Sequence, residues 1–350
     1  MPPVAEVATR LGVSREAVEI CRDSELIDLH IDTFIPPRLW GYDPLKRHRR
    51  ALGGRSFFGH LDLPRMGDGG LSGAMWSITT NPFRGASARW RVFQKNWRGF
   101  QRLVQRSAGQ LELTPDLAGY RAARARGAHA VLLSVQGANA FEAAPGGIRA
   151  APEELVRATL VHLTTSRLGE TNSPLRKASR IRGLTPTGRT FVEQLNERRI
   201  FVDLAHIHPR GFRDALEVHD RTQPLLATHC GVDGVLPHWR NLDDGELKQV
   251  ADTGGVVGII FAVNFLRRRG GPVDGAMIVE HMEHVRRVAG DDAVAVGSDY
   301  DGAIVPPRDL AGGETYPRLV QHMLDRRWSH EQIQKCLGDN FLRALGMLRP

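Results

Sequence analysis

The chain has 350 residues, 41% of them hydrophobic and 25% charged, enough for a large α/β core and the balance of a soluble globular protein. Its net charge of +8 comes mostly from arginines scattered along the chain; without a zinc-finger or RNA-binding motif, this argues against a nucleic-acid partner. No apolar run nears the roughly 20 residues of a membrane helix, the N-terminus lacks a signal-peptide layout, and Cys21, Cys230 and Cys336 are far apart, so we expect no membrane association, reduced thiols and a cytoplasmic location.

In chain order, residues 1–23 form a helical lead-in, with Ser14 as candidate N-cap. Glu25–Asp32 (E-L-I-D-L-H-I-D) follows as a buried strand with Asp28, His30 and Asp32 at alternate positions, hence on one face. A long loop rich in Pro, Gly and Arg, from Phe34 to Gly70, leads to a second strand, Leu71–Ile78. Trp90–Leu111 is a helix whose stripe of Trp90, Phe93, Trp97 and Phe100 packs into the core. The third strand is His129–Gln136. A helix at Ala151–Ala158 and a fourth strand at Thr159–Thr165, containing His162, come next, then a loop from Ser166 to Gly183. Thr185 caps a helix with Pro186 at its first position. Strands five to eight are Ile200–His206, Pro224–His229, Gly255–Phe261 and Ala293–Asp299, separated by helices around Gly211–His219, Asp243–Asp252 and Gly275–Ala289. Helices from about 316 to 345 close the chain.

Short apolar strands alternating with helices imply a parallel sheet covered on its faces. Eight such units imply an α/β fold of the (β/α)8 TIM-barrel type, one domain over residues 1–350. An open doubly wound sheet is the alternative, but no G-x-G-x-x-G follows the first strand.

In such barrels the reactive side chains stand where strands end. The strand ends here offer His30 and Asp32, Gln136, His162 and Thr165, His206, His229 and Asp299. A lone buried histidine is usually a hydrogen-bonded core residue. Several histidines and two aspartates on one rim call for a divalent cation to relieve their unpaired polarity. The matching chemistry is metal-assisted hydrolysis, with Asp299 as general base toward water.

The pieces Asp28-Leu-His-Ile-Asp32, His60-Leu-Asp-Leu-Pro-Arg65, Leu184-Thr-Pro-Thr-Gly188, Val202-Asp-Leu-Ala-His206, Thr228-His229, Arg240-Asn241, Val296-Gly-Ser-Asp-Tyr-Asp-Gly302 and Leu337-Gly-Asp-Asn-Phe-Leu342 resemble, in order and spacing, the membrane (renal-type) dipeptidase family of zinc metallopeptidases. These are related to the amidohydrolases, and the likeness runs from about Glu25 to Leu345. The resemblance implies a metallo-dependent hydrolase barrel in which His30 and Asp32 bind one Zn2+ ion and His206 and His229 a second. Asp299 lies beside the metals and shuttles the proton, and Arg240 holds the substrate carboxylate through its planar fork. It also implies a dipeptide or similar small-molecule substrate and a homodimer.

Two positions depart from the family pattern. Its bridging glutamate is replaced by Gln136, in Val135-Gln-Gly-Ala138, which removes one negative charge where two cations would meet. Its substrate histidine falls on Thr165, with His162 nearby as a substitute donor. The expectation is one or two divalent ions, the site of His30, Asp32 and Asp299 filling first or both sites binding weakly, with Glu142 as a candidate replacement ligand. Besides dipeptide hydrolysis, two readings stay open: a one-metal hydrolase of another amide or lactam, and a catalytically silent barrel that binds a peptide or amino acid.

Overall fold

The computed structural model describes residues 2–48, 57–81, 83–174 and 180–350. Gly53-Gly54 and part of the Ser166–Gly183 loop lie outside the described residues. The strands are β1 (Leu26–Ile31), β2 (Leu71–Thr79), β3 (Leu111–Leu113), β4 (His129–Gln136), β5 (Leu155–Thr159), β6 (Phe201–Asp203), β7 (Leu226–Cys230), β8 (Val256–Ile259) and β9 (Val294–Val296). All pairings between them are parallel. β1 lies between β2 and β9, β2 also pairs with β4, and the order continues through β5, β6, β7 and β8 back to β9, so eight strands close into a barrel. The three-residue β3 pairs only with the start of β4, from Leu111 opposite His129 to Leu113 opposite Val131, and stays outside the ring.

Two apolar layers hold the barrel. Inside, Leu29, Met75, Leu132, Val156, Phe201, Leu226, Val256 and Ala295 give at least one side chain from each of the eight strands, and Phe341, Leu345 and Leu348 of the last helix (Asn340–Leu348) pack against them. Outside, the alternate strand residues, such as Trp76, Leu133, Val202 and Val257, pack on the helices. The aromatic stripe lies on helix Ala86–Arg106, where Phe93 and Phe100 are buried and Phe93 meets Phe141 at 4.6 Å between ring centroids. Ser14 and Thr185 cap their helices as expected, each accepting at 3.0 Å from the backbone N–H three residues on. No helix among the described residues is long and apolar enough to cross a membrane.

Three expectations need correction. The helix at Ala151–Ala158 is absent. Leu155–Thr159 is instead strand β5, because pairing with both β4 and β6 overrides the helical preference of the local Ala and Glu residues. Strand four therefore ends at Thr159, and His162 stands beyond it. The face shared by Asp28, His30 and Asp32 also breaks: the register with β2 slips between Asp28 and Ile31, so Leu29 joins the interior layer while Ile31 joins the outer one. Such a slip re-aims a side chain. Asp28 is turned into a structural tie, accepting from the backbone of His30 and Ser298 and from the Tyr316 hydroxyl. Finally, the Phe34–Gly70 stretch contains two short helices, Ile35–Trp40 and Leu63–Asp68.

Burial also fixes the charge of core histidines. His129 sits between Trp76 Nε1, which donates to its Nε2 at 3.1 Å, and the Leu71 carbonyl, 3.1 Å from Nδ1. Burial pulls its pKa down to about 4. The unfolded chain then binds the proton more readily than the folded one, so the stability from His129 is complete above about pH 6.5 and is lost as pH falls toward 4. The advantage of wild type over His129→Gln in urea unfolding is expected to shrink by on the order of 3 kcal/mol between pH 7 and 4. A pH-independent difference would contradict the buried neutral ring.

Candidate active site

The barrel's C-terminal rim gathers the side chains singled out in the sequence. His30 comes from β1 and Asp32 from just beyond it, Gln136 is the last residue of β4, and His229 belongs to β7. His162, His206 and Asp299 each stand three residues past the ends of β5, β6 and β9 at Thr159, Asp203 and Val296. His206 (φ 67°) and Asp299 (φ 62°) both adopt left-handed backbone, which turns the chain sharply enough to bring the side chain back over the barrel mouth. Gly258 and Gly297 let β8 and β9 close on β7: a Cβ at either would lie 2.2 or 1.8 Å from the Thr228 carbonyl oxygen, next to His229.

Three of these residues form a tight triangle. His206 Nε2 lies 2.9 Å from His229 Nε2, and the Gln136 amide end lies 3.1 and 3.3 Å from the two. His30 stacks on His229 at 3.9 Å between ring centroids. Its Nε2 is 3.5 Å from Asp299 Oδ1 and 3.8 Å from Asp32 Oδ2. His30, His229 and Asp299 offer ligand atoms within 4.8 Å of one another. His30 Nε2 and Asp299 Oδ1 are both buried and make no hydrogen bond.

All these groups are removed from water, and their proton affinities follow. Burial lowers the pKa of His30 and pushes those of His206 and His229 well down, so each ring is held neutral. Burial raises that of Asp299 well above the usual carboxylate value, helped by the neighbouring Asp32 carboxylate. Burial also pushes Asp32 up, but His30 beside it and the Thr79 hydroxyl, which donates to Oδ1 at 2.5 Å, outweigh it and leave its pKa lowered. Two carboxylates driven apart in this way can divide the tasks of charge and proton carrier.

A cavity of about 340 Å³ opens beside the cluster, lined by Asp32, Gln136, His162, His206, Arg240 and Asp299 with apolar walls from Phe58, Trp239 and Phe265. Arg240 is 1% exposed. It is anchored by donating to the His229 carbonyl at 2.5 Å and to Cys230 Sγ at 3.2 Å, so Cys230 supports the arginine besides packing in the core. His162 meets His206 edge to face at 4.8 Å, and burial lowers its pKa to about 4. Thr165 does not line the cavity. Glu142 is engaged elsewhere, paired with Arg89 at 2.6 Å and accepting from the Arg167 backbone.

Two residues at the centre escaped the sequence reading. Asp203 and Arg157 are fully buried and paired at 3.1 Å. Asp203 also accepts from the hydroxyls of Thr159 and Thr228 and from the backbone of Ala205 and Thr228. Arg157 in turn reaches His30 Nδ1 at 2.6 Å. The signal was available: a charge inside an apolar strand, in L-V-R-A-T and in F-V-D-L, needs a buried partner.

Known proteins share this architecture. A crystal structure of a metallo peptidase from Rhodobacter sphaeroides, liganded with a phosphinate mimic of the dipeptide L-Ala-D-Ala, superposes with a TM-score of 0.78 at 25% identity, covering 93% of this chain and 99% of that one. The metallo peptidase called dipeptidase AC superposes equally well, with a TM-score of 0.78 at 26% identity and the same coverage. The probable dipeptidase PvdM from Pseudomonas aeruginosa reaches a TM-score of 0.82 at 16% identity over 95% of this chain and 98% of that one, a likeness of fold. In sequence, an uncharacterised protein in the pqqA 5′ region of Klebsiella pneumoniae is 36% identical over 168 residues, 47% of this chain and 60% of that protein. The family model described as membrane dipeptidase (peptidase family M19) matches residues 14–349. The chain belongs to the membrane dipeptidase family.

Proposed function

We propose that this chain is a metal-dependent dipeptidase-like hydrolase that cleaves the amide bond of a dipeptide or a similar small amide bearing a free carboxylate. The observation that carries this reading is the convergence of buried imidazoles and carboxylates on a cavity that also presents the buried Arg240, in a chain of this family.

The residues suit a divalent cation. His206 Nε2, His229 Nε2 and the Gln136 amide end converge to within 3.3 Å of one another in a buried place, and neutral imidazole nitrogens favour Zn2+. The donors available to hold it are His30, Asp32, Gln136, His206, His229 and Asp299. A bound ion supplies Lewis acidity for the scissile carbonyl and makes water a nucleophile near neutral pH. The chain's own groups do the rest. Arg240 pairs with the substrate carboxylate. Asp299, whose Oδ1 makes no hydrogen bond within the protein, takes a proton from the water as the carboxylate and then, as the acid that its burial favours, passes it to the leaving amine. His162, which lines the cavity where Thr165 does not, offers an N–H to the carbonyl oxygen. The rims of Phe58, Trp239 and Phe265 exclude water around the reacting bond. Three free, buried cysteines fit a reducing cytoplasm, the single closed barrel supports one domain over residues 1–350, and the family resemblance alone supports a homodimer.

The test is turnover of a dipeptide panel that includes L-Ala-D-Ala, with zinc supplied, followed by mass spectrometry of the products. Hydrolysis that stops on chelation and returns with metal supports the reading; bound metal without any turnover sinks it. In the same assay Arg240→Lys is expected to lose about 10–100-fold of the preference for a dipeptide over its C-terminal amide, because the bidentate pair is gone. An unchanged preference would remove Arg240 from carboxylate recognition.

A further inference from the structure

We infer that the chain holds a single metal ion, on His206, His229 and Gln136, and that His30 is not a ligand, because Arg157 occupies its Nδ1 and leaves the ring proton on Nε2. The inference rests on the metal-dependent reading above and narrows its six available donors to three.

Proton bookkeeping around Asp203 decides the matter. Thr228 Oγ1 lies 2.8 Å from Asp203 Oδ2 and 2.8 Å from His229 Nδ1. A hydroxyl has one proton, and this one goes to the carboxylate, so the Thr228 oxygen accepts from His229 Nδ1–H. His229 Nε2 is then a bare lone pair facing the site, with its other nitrogen donating to an oxygen in the manner of metal-binding histidines.

The same rule applies to Gln136. Thr79 Oγ1 gives its proton to Asp32 at 2.5 Å, and a terminal atom of the Gln136 amide sits 3.2 Å from the same oxygen. The structure places Oε1 there and Nε2 toward the two rings; since Thr79 has no second proton to give, we assign the amide the other way round, with its NH2 end toward Thr79. The amide's two orientations occupy the same volume, and this one turns the carbonyl oxygen toward His206 and His229. The three donor atoms then stand 2.9, 3.1 and 3.3 Å apart. Bonds of about 2.0–2.1 Å in a tetrahedral zinc shell place ligand atoms roughly 3.3 Å apart. The triangle is the size of one face of that shell. The His30, His229 and Asp299 set, spread over up to 4.8 Å, is not.

His30 has the opposite arrangement to His229. Its Nδ1 lies 2.6 Å from Arg157 Nη2. A guanidinium only donates, so Nδ1 accepts and the ring proton resides on Nε2. A protonated Nε2 has no lone pair for a cation; it points instead between Asp299 and Asp32 at 3.5 and 3.8 Å. Asp203 thus sets both rings through two different neighbours, Thr228 for the ligand His229 and Arg157 for the excluded His30. Arg157 is a positioning residue.

The test is metal content by elemental mass spectrometry after dialysis against zinc, together with the visible absorption of the Co(II)-substituted protein. Wild type, His206→Ala and His30→Ala are compared, with circular dichroism as the check on folding and His206→Gln and His30→Gln as second variants should either alanine form misfold. We expect about one equivalent in wild type, loss of metal and of the Co(II) bands at position 206, and an unchanged equivalent and spectrum at position 30. Two equivalents in wild type, no metal in wild type, or metal lost at position 30 and kept at position 206 would each overturn the inference. One equivalent with no dipeptide turnover leaves this assignment standing and rejects the hydrolase; turnover with two equivalents does the reverse.

Discussion

Asp203→Ala is expected to cost on the order of 3–5 kcal/mol of folding stability, the usual consequence of leaving a buried charge without its partner. Arg157 is fully buried, its remaining polar contacts are Thr159 Oγ1 and a histidine nitrogen, and neither carries the charge that Asp203 supplies. The same substitution orphans the hydroxyls of Thr159 and Thr228 and two backbone N–H groups. The measurement is the urea midpoint and slope. Asp203→Asn keeps the volume and an acceptor oxygen, and should fall between wild type and the alanine form. In the alanine form Thr228 loses its acceptor and His229 the partner that orients it, and metal affinity should drop by about 10–100-fold. If both variants unfold at the wild-type midpoint, Asp203 is not the centre of the barrel's polar network.

Asp299→Asn tests the chemistry. Removing a positioned general acid–base typically costs about 10²–10⁴ in rate, and we expect a fall in kcat of that size on whichever dipeptide the wild type cleaves best, with KM little changed. Asparagine suits the position because, like aspartate, it tolerates the left-handed backbone found there at φ 62°. The substitution therefore changes the proton carrier without disturbing the turn. A variant that keeps more than about a tenth of the wild-type kcat would take proton transfer away from Asp299.

The barrel was legible because its strands are short, apolar and spaced by helical segments, and most of the rim side chains could be read from their ends. His30, Asp32, Gln136, His206, His229, Arg240, His162 and Asp299 all come together at one cavity or its edge. Local patterns failed where tertiary pairing decides. Ala151–Ala158 reads as a helix because its Ala and Glu residues favour one, yet β4 and β6 draw Leu155–Thr159 into the sheet. That reading placed Arg157 on a helix and hid its role. The alternation of E-L-I-D-L-H-I-D could not disclose the register slip between Asp28 and Ile31, which separates Asp28 from His30. Thr165 matched the family's pattern by position, but with β5 ending at Thr159 it is His162 that lines the cavity.

The left-handed turns at His206 and Asp299 have a consequence for how this protein can change. A non-glycine residue held in that conformation carries on the order of 1–3 kcal/mol of strain, and glycine would relieve most of it. Selection for stability alone would therefore drift both positions away from an imidazole and a carboxylate, giving a sturdier barrel with an inert mouth. Retaining these side chains keeps both positions short of their stability optimum, robustness given up for the groups at the barrel mouth.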